Sequence, residues 1–445
     1  MEKEYLFDEY SEKFPPIKHR SFFQRNCRQI GPGSLRLTVI NIILCGTTGT
    51  FFWYPVIFRT YGAIPGFFVI SAFVLLNYLM SLLVYKASDY ADCNEYLILV
   101  KNFLGDRWMN VAKFTYVMDY FAVYVIGFLL SWNIFAYLLY YWGYIDESAI
   151  ADKDMLIFKD YHPQIMLLRL IVIGAGFLVS VPLFLKEKID SLKYVFFAFM
   201  IVIFLNILYL IVDLQQFHTH YVSDGTYEFS YSKSLTFDSF RYVLIFMCAF
   251  YVQSNLLTMK TEVTNPTYTR MVKTLNVSHL FFLLFSLGFG LYGYYCLGDR
   301  YTTDLFMLRK SFDGKKFEEL YRLILVLMAV CYILYMAFFN MSLRNFIYSN
   351  FSYKPSPYLV SLGPLTLACI VTWAYPKIVN FLGYNALIVC LLNGFLFPIM
   401  IARKIFVEEK KSFLLIRGLD ALTVVLLVIS AISFGAIIYN DFLAN

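Results

Sequence analysis

Three groups of residues have the type and spacing to do chemistry inside an otherwise apolar chain. Gly46-Thr47-Thr48-Gly49-Thr50 lies about ten residues into an apolar run, roughly 15 Å deep at about 1.5 Å per residue and therefore near the middle of a bilayer. Glycine and threonine there tolerate an unwound turn, whose free amide and carbonyl groups can hold a carboxylate, an ammonium group or a cation. Close helix packing through small residues explains the same cluster equally well. A second interruption, Gln253-Ser254-Asn255 followed by Thr258, falls in a later run that ends in Lys260-Thr261-Glu262. Polar residues bonded to a neighbouring helix are the alternative for this one. The third candidate is Asp119, the one carboxylate well inside an apolar run, roughly 10 Å from its edge. An acid at that depth points to a proton relay, or to a side chain held for packing specificity.

The elements that carry these residues follow from composition. Of the 445 residues, 60% are hydrophobic and 15% charged, with a mean hydropathy of +0.62, against roughly 45–50% apolar and 25% charged for soluble domains. The apolar residues form eleven runs, near 36–58, 65–85, 112–142, 165–185, 191–212, 240–259, 273–297, 320–347, 359–375, 378–401 and 414–439. Each is close to the ~20 residues that cross a bilayer as helix, and none shows the alternation of a barrel strand. The chain is expected to be an all-α integral membrane protein of about eleven transmembrane helices. Runs one and six each lead a block of five. Because five is odd, a second block of the same design enters the membrane inverted, and paired interruptions at corresponding stations are the mark of an inverted-repeat carrier.

Sidedness follows from Lys and Arg. With the N-terminus inside, cytosol or matrix, the inner segments carry 24 basic residues and the outer ones 12. The expected order is an inside tail over 1–34, helices one to five over 35–212, an outside loop over 213–239, helices six to ten over 240–403, and helix eleven with the C-terminus over 404–445. The mixed-charge start of the chain reads as neither a secretory signal nor a transit peptide. A plasma, vacuolar or mitochondrial inner membrane all remain open. Lys113 and Arg169 are expected to snorkel. Cys45, Cys248, Cys296, Cys331, Cys369 and Cys390 lie inside apolar runs and read as small hydrophobes.

Several classes are excluded. The basic residues do not cluster on a soluble face, so no nucleic acid is expected. His218 and His220 lack companions for a metal site. No phosphate-cradling loop, nucleophile elbow or zinc-protease motif is present, so neither an enzyme nor a cofactor is expected.

Particular motifs resemble the amino acid/auxin permease family, proton- or sodium-coupled amino acid transporters. Glu262-Val263-x-Asn265-Pro266-Thr267-x-x-Arg270-Met271, then Gly290-x-x-Gly293-Tyr294 and Gly298, are similar to the family's E-L-x-x-P-T-x-R-R-M and G-x-x-G-Y-x-x-F-G. Asn41, Pro55, Phe58 and Gly62 keep the family's spacing around the first helix. The resemblance extends from about Leu35 to the last helix and implies the LeuT-like fold, a 5+5 inverted repeat plus an eleventh helix. It departs at Thr48-Gly49-Thr50, where the family has G-x-G, at Leu44 in place of a second asparagine, at Gln253 and Thr258 in place of histidine and proline, and at Ser342 in place of a proline before Arg344. Leu44 offers no oxygen to a hard cation, so the proton is the expected coupling ion.

Two functions remain. One is proton-coupled secondary transport of small amino acids by alternating access, with Thr47, Thr48, Gly49, Thr50, Gln253, Asn255 and Thr258 lining the substrate site and Asn41 and Asp119 as ion-coupling candidates. The other is a transport-inactive homologue serving as a structural subunit of a larger membrane complex, for example in the mitochondrial inner membrane. The lipid bilayer is the common partner. Protein partners are expected to order the N-terminal tail and the 213–239 and 299–319 loops.

Overall fold

Helix α1 (Leu35–Thr47) starts at Ser34, whose hydroxyl accepts the Leu37 amide at 3.2 Å. This satisfies one of the amides that a helix start leaves open. The same apolar run also carries α2 (Tyr54–Tyr61). The computed structural model describes residues 34–47, 53–152, 157–185, 193–223, 225, 227–261, 263, 265–300, 318–351 and 355–442. Thr48, Gly49, Thr50 and Glu262 lie outside them, as do the tail and most of the 299–319 loop.

Glycine sets the next boundaries. Gly62, at φ 90°, separates α2 from α3 (Ala63–Tyr90), and Gly105, at φ 94°, separates α4 (Tyr96–Leu104) from α5 (Asp106–Tyr141). Both take a backbone conformation that side chains with a Cβ resist. The short helix α4 carries no apolar run of its own and was not expected. A two-stranded antiparallel ribbon, β1 (Ile150–Asp152) and β2 (Ile157–Phe158), precedes α6 (Pro163–Phe184) and α7 (Lys193–Ser223). Helix six is again two pieces, α8 (Arg241–Ala249) and α9 (Gln253–Thr261). Then come α10 (Tyr268–Leu297), α11 (Glu318–Asn350) and α12 (Pro357–Ala374). Helix ten runs as α13 (Ile378–Asn385), a π-helical stretch (Ala386–Leu396) and α14 (Phe397–Glu408), and α15 (Phe413–Phe442) is the eleventh.

Among the described residues, each of the eleven apolar runs is therefore largely helical. Eight stretches among those residues are long and apolar enough to cross a membrane, and the three other runs occupy α1–α2, α7 and α11. The span of α5 and that of α8–α9 are mostly enclosed by protein, whereas α6, α12 and α15 turn most of their residues outward. Helix α5 packs on α11 and α12, α3 on α10, α10 on α1 and α2, and α8 on α13 and α15. Thus helix six and α5 form the centre, and α6, α12 and α15 form a rim.

Three expectations are corrected. The 213–239 stretch is not all loop: α7 continues through Asp213 to Ser223, because no glycine or proline interrupts it until Gly225, at φ 65°. Helix ten runs to Glu408, beyond the expected boundary at 403. Arg169 does not snorkel. It is fully buried, donates to the Asp160 and Trp373 carbonyls at 2.8 and 3.1 Å, pairs with the Asp160 carboxylate at 3.4 Å and lies over the Trp132 ring. Its planar fork meets three groups at once, which a mobile interfacial side chain does not.

Part of the loop leading to helix six is held by this chain itself. Ala63 and Ile64 donate to the Ser230 and Tyr231 carbonyls at 3.1 and 2.9 Å, and Lys233 donates its amide to Tyr61 at 3.0 Å. At its other end Asp299 donates to the Glu228 carbonyl at 3.0 Å, and the Lys233 ammonium pairs with the Asp299 carboxylate at 2.5 Å.

Candidate functional site

A cavity of about 150 Å³ lies among helices one, three, six, eight and ten. Helix α5 supplies one wall through Asp119, Tyr120, Val123, Ile126, Gly127 and Leu130, positions whose spacing puts them on one helical face. Cys45 comes from α1, and Tyr332, Met336 and Phe339 come from α11. Cys248, Tyr251 and Asn255 come from the break in helix six, and Leu382, Asn385 and Cys390 from α13 and the π-helical stretch. The cavity sits where both halves of the chain contribute.

The break in helix six lies at Phe250–Val252, the three residues immediately before the polar cluster that sequence singled out. No proline or glycine makes it. Phe250 is fully buried and stacks on Tyr54 of α2 with centroids 5.6 Å apart, and it also meets Phe282 of α10. Tyr251 instead lines the cavity and packs against Gly394, where an added Cβ would come within 3.0 Å of its ring. The Gln253 side chain accepts the Val252 amide at 3.0 Å, satisfying a donor that the break exposes. Two aromatic anchors and a side-chain cap thus replace the family's breakers.

The rest of Gln253 faces away from the cavity. Its amide donates at 3.1 Å to both the carbonyl and the side-chain oxygen of Asn77, and at 3.4 Å to the Ser81 hydroxyl, all on α3. It is fully buried and bound by protein, which makes it a latch between helices six and two. Thr258 is exposed farther along α9, and Asn41 is half-buried on α1 and does not line the cavity. Thr47 closes α1. Of the expected site residues, the cavity brings together Asn255 and Asp119.

Asp119 is the only carboxylate on the cavity wall, and the wall carries no lysine, arginine or histidine among the described residues. No described residue hydrogen-bonds or ion-pairs with it. Four aromatic side chains, Tyr120, Tyr251, Tyr332 and Phe339, line the same space. A carboxylate in apolar surroundings holds its charge only against a compensating cation, or takes up a proton. The arrangement can therefore bind and release a positive charge.

Toward the N-terminal end of α5, the wall is closed by hydrogen bonds. Tyr116 donates to the Ser254 carbonyl at 2.7 Å, Tyr96 to the Asn393 carbonyl at 2.5 Å, and Thr115 to the Asn393 side chain at 2.9 Å. The Lys260 ammonium, buried at the far end of α9, donates to the Ser88 hydroxyl at 2.9 Å. Sequence reading missed these tyrosines because a tyrosine in an apolar run looks like any other membrane aromatic. It also missed that Cys45, Cys248 and Cys390 line a cavity rather than serve as plain filling. The signal available was the α5 stripe, Asp119, Val123, Ile126, Leu130, at helical spacing.

The family model described as transmembrane amino acid transporter protein matches residues 31–443. Among solved structures, the chain is similar to a manganese transporter of Eremococcus coleocola, solved in complex with an aromatic bis-isothiourea substituted compound, at 11% identity and a TM-score of 0.51, over 92% of this chain and 87% of that one. That likeness is one of fold, and the nearly all-helical architecture is accordingly LeuT-like. No curated protein sequence matches the chain.

Proposed function

Because the chain belongs to the transmembrane amino acid transporter family, we propose that it is a proton-coupled secondary transporter of small amino acids, working by alternating access around the central cavity. The observation that carries this reading is Asp119, a carboxylate without a described partner on the wall of a cavity formed where helix six is broken. A space of this size takes up a molecule about as large as benzene, which suits a small amino acid and not a large one. Tyr251 and Asn255 flank the start of α9, so the positive end of that helix meets the solute's carboxylate. Asn255, Asn385 and the tyrosines orient its polar atoms. Asp119 takes the proton whose movement drives the cycle, in keeping with Leu44 where a sodium site would need an oxygen.

A specific observation supports the alternative, a transport-inactive structural subunit. The Gln253 latch to Asn77 and Ser81 ties helix six to helix two. Uptake of labelled small amino acids by the chain reconstituted in liposomes, with and without an imposed pH gradient, decides between them. Gradient-stimulated uptake is the expected result. Absence of uptake for every small amino acid tried, by a folded protein, overturns the transporter reading, and isolation at a fixed ratio with other subunits would then favour the alternative.

A further inference from the structure

We propose that Cys248 and Cys390 form a site of reversible oxidation, a dithiol that a small hydroperoxide reaching the cavity converts to a cystine. The two sulfurs lie 2.7 Å apart, although the residues are 142 positions apart in sequence. Closing that gap to a bond of about 2.05 Å asks for a movement of well under an ångström. Both residues are on the cavity wall, Cys248 at the end of α8 and Cys390 in the π-helical stretch. Both thiols border a space large enough to hold a reagent as small as hydrogen peroxide. The geometry thus supplies proximity, a resolving partner and a shared cavity.

The chemistry balances without a cofactor. One sulfur attacks a peroxide oxygen, the O–O bond breaks, and a sulfenic acid and one water form. The second sulfur attacks the sulfenic sulfur, the S–S bond forms, the S–O bond breaks, and a second water leaves. Two electrons pass from the sulfur pair to the peroxide, and both thiol protons depart in water. The cystine fastens the first half of helix six to helix ten across one wall of the cavity, and a dithiol reductant restores the pair.

The test uses the full chain in detergent and reads sulfur chemistry alone, so its outcome does not depend on transport. Protein is treated with hydrogen peroxide, quenched, denatured, alkylated, digested and analysed by mass spectrometry. The expected result is a linked peptide containing Cys248 and Cys390, reversed by dithiothreitol, with those two of the eight cysteines missing from the alkylated set. Cys390→Ser should abolish the linked species. Recovery of both residues as alkylated thiols, at a peroxide dose that has already modified the half-exposed Cys93, overturns the proposal, as does their oxidation without linkage. If Cys390→Ser does not fold, the linked peptide from the unaltered chain decides alone.

Discussion

The Gln253 amide reaches Asn77 twice, its nitrogen lying 3.1 Å from the backbone oxygen and 3.1 Å from the side-chain oxygen. One side chain therefore caps the break in its own helix and fastens that helix to a neighbour. Replacing Gln253 by leucine leaves the Val252 amide and the Asn77 oxygens without their partner in a fully buried place. Hydrogen bonds inside membrane proteins average about 0.6 kcal/mol, but stranded buried groups cost about 1–3 kcal/mol. We expect Gln253→Leu to lose about 1–2 kcal/mol, measured by denaturant titration in mixed micelles. Unchanged stability would mean that the latch is not formed.

Asp119 is the sharper functional test. Asp119→Asn keeps size and hydrogen-bonding capacity but cannot carry a proton in the same way. Gradient-driven uptake should fall at least about tenfold, while exchange of labelled for unlabelled solute in the absence of a gradient persists. A variant that responds to pH gradients like the parent chain would assign the carboxylate to packing.

Gly127 faces α11 beside the cavity. An added Cβ would come within 2.7 Å of the Met336 sulfur. A methionine side chain can give way to one methyl group, so Gly127→Ala should be tolerated at a cost of about 1 kcal/mol. Gly127→Leu should lower affinity for the solute several-fold by wedging the wall, as read by concentration-dependent protection in a thermal-shift assay. Equal affinity for both variants would remove this wall from the binding site.

Arg169 makes a prediction about architecture. It bonds the Asp160 and Trp373 carbonyls and the Asp160 carboxylate. Burial pushes the Asp160 carboxyl up from its usual range, while Arg169 and Lys377 pull it back down. Arg169→Ala should destabilise the chain by about 1–3 kcal/mol, because it leaves the Asp160 and Trp373 carbonyls without their donor and a hole beside Trp132. Arg169→Lys should recover little of this, since a single ammonium cannot serve two carbonyls and a ring together. Full rescue by lysine in a melting experiment would contradict the fork geometry.

The membrane architecture was legible because apolar runs of bilayer length leave little choice of element, and the polar interruption in run six pointed to a helix that is broken. The position of the second break was not legible. Gln253 and Asn255 announced polarity, but the chain opens at Phe250–Val252 because two neighbouring aromatics are drawn to opposite partners, Tyr54 and Gly394. That depends on tertiary contacts no local pattern encodes. Asp119 could be found because a lone acid in apolar sequence is conspicuous. Gln253 misled because a buried amide that binds solute and one that binds another helix look alike until the neighbour is seen. The cysteines show the converse, since two residues that read as filler meet at one wall only when helices six and ten are folded together.

The strap over residues 228–233 has a mechanical meaning. It is stitched by three backbone bonds to the elbow at Gly62 and by Lys233 and Glu228 to Asp299 at the end of α10. The elbow of one half and the tip of a helix from the other are thereby riveted into a single plate. If the proposed transport cycle tilts the first two helices, these bonds couple the seventh to them, and the lever then spans both halves of the chain and not either half by itself.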